Sequence, residues 1–268
     1  MSQGIEPVID YSTDEDSWGL LVPQQHHENA LTIIRQYQSE NRHWPWRKEL
    51  FHIGPLFDAA SLLWGLLAVF FFWLSNDSEL IVSIGVMDTL AVMNGQWWRL
   101  FTAPLLHADL AHLTTNLIFG VLLLGLAMGR YGTGIGILSS YLAGVGGNLV
   151  SWCFSDEPQK GLGASGMIMG ALGLLAAQPI SKWHISSPTL TRNITTIAAG
   201  VLLFVLLGSR PGTDFLAHLG GFASGLLLGS LLVHTSRFAQ SVAANLAAGL
   251  GFGFLVILGW TLAFTKST

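Results

Sequence analysis

The sequence predicts an all-α fold, a polytopic membrane bundle of seven transmembrane helices. Three observations carry that prediction. Only 10% of the 268 residues are charged, where a soluble globular domain carries roughly 25%. Hydrophobic residues make up 51%, and mean hydropathy is +0.52. Past Asp58 the chain runs as a series of long windows without Asp, Glu, Lys or Arg. These figures exclude a disordered chain, a coiled coil and an ordinary soluble enzyme. A formal net charge of −4 leaves a nucleic-acid partner without electrostatic support. Cys153 is the single cysteine, which excludes an internal disulfide framework and a cysteine-rich metal site.

Residues 1–57 read as a hydrophilic N-terminal tail or small domain. Residues 1–56 hold eight acidic and four basic side chains, with scattered aromatics at Trp18, Tyr37, Trp44 and Trp46. A surface helix is expected around 27–38. The stretch from Arg42 to Lys48, with its two tryptophans, reads as an interfacial anchor. The N-terminus is acidic and the first apolar run starts near Ala59, so that run is expected to be a permanent anchor and not a signal peptide.

The uncharged windows are 59–76, 113–129, 131–155, 161–181, 193–209, 215–236 and 238–265. Each approaches the roughly 20 apolar residues that a span needs. Each must be helical, because lipid offers no partner for backbone N–H and C=O groups. Between the first two windows, residues 77–112 form a long segment containing Trp97 and Trp98. A segment of that length ordinarily carries structure or function of its own, and paired tryptophans suit a membrane interface. Arg130-Tyr131-Gly132 reads as a tight turn between the second and third spans. With the N-terminus inside, Arg35, Arg42, Arg47, Lys48, Arg130, Lys182, Arg192 and Arg237 lie on the cytoplasmic side. Arg99, Lys160, Arg210 and Lys266 lie outside. That bias favours a cytoplasmic N-terminus and an external C-terminus.

Polar residues stand out against this background. Ser165 lies in Gly163-Ala164-Ser165-Gly166 and His218 in Ala217-His218-Leu219-Gly220-Gly221. Ser165 is the fifth and His218 the fourth residue of its window. At 1.5 Å per residue, both are expected about 6 Å below the same membrane boundary. Gly221, Gly225 and Gly229 form a stripe on the His218 side of one span, and Gly166 and Gly170 do the same after Ser165. Such small-residue faces let two backbones approach closely. A lone membrane serine ordinarily bonds back to a carbonyl, whereas an intramembrane histidine is a functional candidate by default. A third cluster is His112 and Asn116, four apart on one helical face, both able to donate hydrogen bonds. His107, five residues before His112, is expected to point elsewhere on a helix. The spacing is not HExxH, so a zinc pair is not expected. The other histidines read as surface residues.

Taken together these residues resemble the rhomboid intramembrane serine proteases. The resemblance rests on Trp98-Arg99 followed by Thr102, His107 and His112 with Asn116, Gly163-Ala164-Ser165-Gly166, and Ala217-His218 followed by Gly221 and Gly225. It covers roughly residues 85–235. It implies a Ser–His dyad without a third acid, in which Ser165 is the nucleophile and His218 the proton acceptor and donor. It implies oxyanion stabilisation by His112, Asn116 and the backbone N–H of Ser165. Trp98, Arg99, His107, Gly163, Gly166, Gly221 and Gly225 would support that site. No metal or other cofactor is implied, and the substrates would be single-span membrane proteins in the lipid bilayer. The seventh span, in 237–268, resembles the family's additional C-terminal helix after a six-helix core over 58–236. Two positions depart from the family pattern. Met128 stands where many members carry glutamate ahead of a basic residue, here Arg130. Met169 stands where many carry an aromatic one turn after the serine.

Two other readings compete. A non-catalytic relative would bind transmembrane helices without cutting them, but inactive relatives typically lack one member of the dyad. A small transporter or channel would place charged groups inside its spans, and none of the windows contains one. Compact length and the absence of a targeting sequence point to a bacterial plasma membrane.

Overall fold

The computed structural model describes residues 8–12, 17–40, 57–177, 214–234 and 241–266. The chain divides into two compact units, Met1–Ile53 and Gly54–Thr268.

In the first unit, β1 (Val8–Ser12) pairs antiparallel with β2 (Ser17–Leu21), Val8 opposite Leu21 and Ser12 opposite Ser17. Pro23 then introduces a short 3-10 turn that runs into α1 (His27–Glu40). This helix covers the one expected around 27–38. The hairpin has no counterpart in the sequence reading, because strands of five residues with Asp10 in one and Gly19 in the other carry too little apolar alternation to stand out.

The second unit is helical. Its elements are α2 (Ser61–Asn76), α3 (Glu79–Gly85), β3 (Met87–Asp88), α4 (Thr89–Met93) and α5 (Arg99–Thr102). There follow α6 (Leu110–Tyr131), α7 (Thr133–Phe154), β4 (Lys160–Gly161), α8 (Ser165–Ala176), α9 (Phe215–His234) and α10 (Val242–Lys266). Among the described residues, α6, α7, α9 and α10 are long and apolar enough to cross a membrane. A fifth span results if α2 and α3, bent by 115°, are taken together. Helix α8 has 12 residues, because the first four of its uncharged window form β4 and a turn. The 193–209 window lies outside the described residues.

Helix ends are set by identifiable chemistry. Asp58 accepts the Ala60 N–H on its side chain (2.9 Å) and the Ser61 N–H and hydroxyl on its carbonyl, which opens α2. The Thr133 hydroxyl also donates to Asp58, tying α2 to the start of α7. Asp109 caps α6 by accepting the His112 N–H (2.8 Å). Between α6 and α7 the chain reverses at Gly132, whose φ of +92° suits glycine. This is the tight turn the sequence predicts.

The axis of the unit is α8, in which all residues except Ser165 and Leu175 are buried. It packs between α6, α7 and α9. Backbone approach there is close. A Cβ at Gly221 would lie 2.3 Å from the Gly166 carbonyl oxygen, and one at Gly225 would lie 2.0 Å from that of Gly170. The glycine stripes therefore meet as the spacing predicts. A third helix joins them. Gly144 and Gly147 bring α7 against Met167 of α8 and Ala217 of α9. Helix α10 packs on α7, where the Asn245 side chain accepts the Ile135 N–H (3.1 Å). Farther along, its Trp260 stacks on Phe71 (5.2 Å between centroids, 22°).

Candidate active site

Ser165 is the first residue of α8. The chain reaches it through Gly163, whose φ of +124° is a conformation that L side chains rarely adopt. The Gly163 N–H donates to the Ala103 carbonyl (3.0 Å). A Cβ at Gly163 would lie 2.6 Å from His112 Cε1 and 2.7 Å from His112 Nε2. The absent side chain thus lets the α6 imidazole sit against the turn ahead of the serine. Asn116 lies beside it, with its amide nitrogen 3.6 Å from the same point.

His218 is the fourth residue of α9 and is buried, 4% exposed. Its Nε2 lies 2.7 Å from Ser165 Oγ, a hydrogen-bond distance spanning 53 positions of sequence. The two side chains are level, as expected, but the helical count behind that expectation needs correction. Residues 161–164 do not belong to a helix, so the 1.5 Å rise does not apply to them. Ser165 opens its helix, while His218 lies in the first turn of its own.

Both side chains face a cavity of about 680 Å³, which His112, Asn116, Asn148, Met169 and Asp214 also line. Asn116 is 5% exposed, and its Nδ2 has no hydrogen-bond partner among the described residues. A buried donor in that state is available to a ligand's oxygen. The arrangement puts a hydroxyl beside an imidazole, with two further donor-bearing side chains on the same wall. That is the minimum needed to activate a nucleophile and to receive negative charge.

The other expected site residues are spread through the elements around the site. Trp98 is buried among Phe71, Ile84, Leu105, Leu106 and Trp260. Arg99 is 6% exposed and donates to the Gln96 side chain (2.7 Å) and to the carbonyls of Ser83 (2.9 Å) and Val86 (2.8 Å). Thr102 donates to the Gly85 carbonyl (2.7 Å). These bonds staple the 77–112 segment onto itself. His107 is not on a helix, contrary to the expectation from its spacing. It sits in the loop ahead of α6, its ring edge-on to His112 at 5.4 Å. Burial, with the neighbouring His112 adding to it, pushes the His107 pKa down to about 4. Gly166, Gly221 and Gly225 lie at the α8–α9 contact already described. Met128 is buried against Gly136 at the α6–α7 turn.

Sequence reasoning missed a polar cluster at one end of the cavity. Asp214 accepts the Ala217 N–H (2.9 Å) and the Ser151 hydroxyl (2.5 Å). Gln159 donates to Ser151 and Ser155 (both 2.5 Å). Lys160 pairs with Asp88 (3.5 Å), whose register opposite Lys160 joins β3 to β4. Burial works to raise the Asp88 pKa, but the N–H groups of Ala91 and Leu90 together with Lys160 leave it lowered. An aspartate just before the apolar run of α9 is a capping signal, legible in principle.

Comparison with known proteins points to one family. A family model described as the Rhomboid domain matches residues 94–235. Rhomboid protease GluP of Bacillus subtilis is 32% identical over 68% of this chain and 36% of its own length. RHOMBOID-like protein 4 of Arabidopsis thaliana is 35% identical over 60% of this chain and 40% of its own. Rhomboid-like protease 3 of Toxoplasma gondii is 33% identical over 57% of this chain and 58% of its own. The chain therefore spans about a third to three fifths of these relatives.

Proposed function

The chain belongs to the rhomboid family, and from that premise we propose that it is an intramembrane serine endopeptidase. It hydrolyses peptide bonds in or near the transmembrane segment of single-span membrane proteins. The observation that carries the reading is the 2.7 Å contact between Ser165 Oγ and His218 Nε2 beside a cavity that His112 and Asn116 also line.

Ser165 Oγ attacks the scissile carbonyl as His218 Nε2 takes its proton. The oxygen of the tetrahedral intermediate receives hydrogen bonds from Asn116 Nδ2, the His112 ring and the Ser165 backbone N–H. That N–H is one of the unpaired donors at the start of α8. His218 then gives its proton to the leaving amine, and the acyl-enzyme forms. Water, activated by the same imidazole, releases the second product. A substrate helix hides its carbonyls in its own hydrogen bonds, so the enzyme takes a locally unwound segment. Gly, Pro or polar residues in the substrate lower that cost. The protein is a multi-pass membrane protein. In the proposed topology its N-terminus is cytoplasmic, its cavity faces the outer side of a bacterial plasma membrane, and α10 is an addition to a six-helix core over 58–236.

The test is cleavage of a panel of single-span reporters by purified protein, with Ser165→Ala and His218→Ala alongside. Cleavage near the outer face that both substitutions abolish is the expected result. Cleavage that survives both would reject the dyad. A folded wild type that cuts none of the reporters a known relative cuts would favour a helix-binding role.

A further inference from the structure

We propose that Asp214 is a positioning residue for the dyad, its carboxylate clamping the His218 end of α9 to Ser151 of α7 and to Gln159 of the loop that leads into Ser165. The inference rests on the reading of Ser165 and His218 as nucleophile and base.

The need for a clamp follows from where the two side chains sit. Glycine contacts lock the bodies of α8 and α9 together, at Gly221 against Gly166 and at Gly225 against Gly170. Ser165 lies one residue before the first of these contacts and His218 three residues before its own, both in the first turn of their helices. First turns lack intrahelical partners for their N–H groups and are the part of a helix that frays. A displacement of about 1 Å at a reacting pair can cost a hundredfold in rate.

Asp214 answers that problem with every acceptor it has. Its main-chain carbonyl takes the His218 N–H (3.1 Å), the first helical bond of α9. Its Oδ1 takes the Ala217 N–H (2.9 Å), a side-chain cap at the positive end of the helix dipole. Its Oδ2 takes the hydroxyl of Ser151 (2.5 Å) and the amide of Gln159 (3.4 Å). Ser151 is 1% exposed and fixed in the last turn of α7. Gln159 is anchored in turn. Its side chain reaches Ser155, its N–H donates to Thr89 Oγ1 (3.0 Å) and its carbonyl accepts the Thr89 N–H (3.2 Å). The next residues along the chain are β4, held to β3, and then Gly163 and Ser165. One carboxylate therefore joins the base-bearing helix to the strand that delivers the nucleophile. An uncharged side chain of the same length keeps a single acceptor oxygen and cannot satisfy both halves of the clamp.

The experiment measures kcat and KM of the full-length protein on a cleaved reporter, and the rate at which a fluorophosphonate labels Ser165. Variants are Asp214→Ala, Asp214→Asn, Ser151→Ala, Gln159→Leu and the Asp214→Ala/Ser151→Ala double. The expected result is a fall in kcat and in labelling rate of at least about tenfold for Asp214→Ala and Ser151→Ala, with KM within about twofold. Asp214→Asn, which retains the cap acceptor, falls between Asp214→Ala and wild type. The double variant is no worse than Asp214→Ala, because both changes break one device. Unchanged kcat in the single variants overturns the proposal. So does a rise in KM at constant kcat, which would make Asp214 a substrate contact, and so does an additive double variant. Should Asp214→Ala fail to fold, Ser151→Ala and Gln159→Leu decide by the same criteria. Cleavage that survives Ser165→Ala removes the dyad and the clamp together. Cleavage that needs Ser165 and His218 but ignores the clamp variants removes the clamp alone.

Discussion

Asn116 keeps a donor without a partner among the described residues, and a donor held in reserve acts where negative charge develops. Asn116→Ala is expected to lower kcat roughly 10²–10³-fold, about 2.7–4 kcal/mol of transition-state stabilisation. KM should stay near wild type, and steady-state kinetics on a cleaved reporter check both. His107 makes a different prediction. Its folded pKa of about 4 lies below the ordinary histidine value of 6.5, so between those values the unfolded chain binds a proton that the folded chain does not. Stability is therefore full above about pH 6.5 and declines as pH falls toward 4. Thermal unfolding in detergent across that range should show the decline, and His107→Gln should flatten it. Ser165, His218, His112 and Asn116 were legible in the sequence because polarity is conspicuous inside or beside an apolar window. Ser151, Gln159 and Asp214 escaped notice because they sit at or near window ends, where polar side chains are ordinary. Only the folded chain brings them within bonding distance.

Packing of α8 against α9 runs backbone to backbone, so its tolerance is small. Gly225→Val would drive branched carbons toward the Gly170 carbonyl, 2.0 Å from where even a Cβ would stand. Overpacking of this kind costs about 1–3 kcal/mol and here pushes apart the two helices that carry the dyad. The expected outcome is a lower melting temperature together with loss of cleavage. Gly253→Ala, with open space around its Cβ position, is the matched control and should leave both unchanged. The glycine stripes were readable because four-residue spacing on a helix is a face. The share of α7 in that contact was not read, since Gly144 and Gly147 are three apart among six glycines of the 131–155 window. Absence of charge located the spans but carries no information on φ and ψ. That is why β4 and its turn were folded into the 161–181 window. Segment 77–112 breaks into elements of two to seven residues, too short for a periodic signal to emerge.

Across the membrane unit, α10 is the outlying member, and it holds on through few side chains. Trp260 is one of three buried residues in that helix. Its ring lies against Gly85, where a Cβ would come within 2.6 Å, and it shares a cluster with Trp98, Leu105 and Leu106. Removing it would leave a cavity between α10 and the 77–112 segment. Trp260→Ala is expected to cost about 3–5 kcal/mol. Hydrogen exchange should rise first in α3 and α5, since those elements lose their cover. If exchange rises only in α10, the helix is an appendage and not a buttress. The sequence pointed to a span over 238–265 but not to this role, because a tryptophan in an apolar helix looks alike whether it faces lipid or protein.

The 53 positions between Ser165 and His218 also measure time. A ribosome adding about 5–20 residues per second finishes the serine roughly 3–10 s before the histidine. During that interval the nascent chain carries a hydroxyl with no base to take its proton. In the proposed reading, the protein cannot cut its neighbours in the insertion machinery until α9 arrives. In that reading the contact that completes the dyad waits for α9, and only α10, with its contacts to Ile135 and Phe71, follows it.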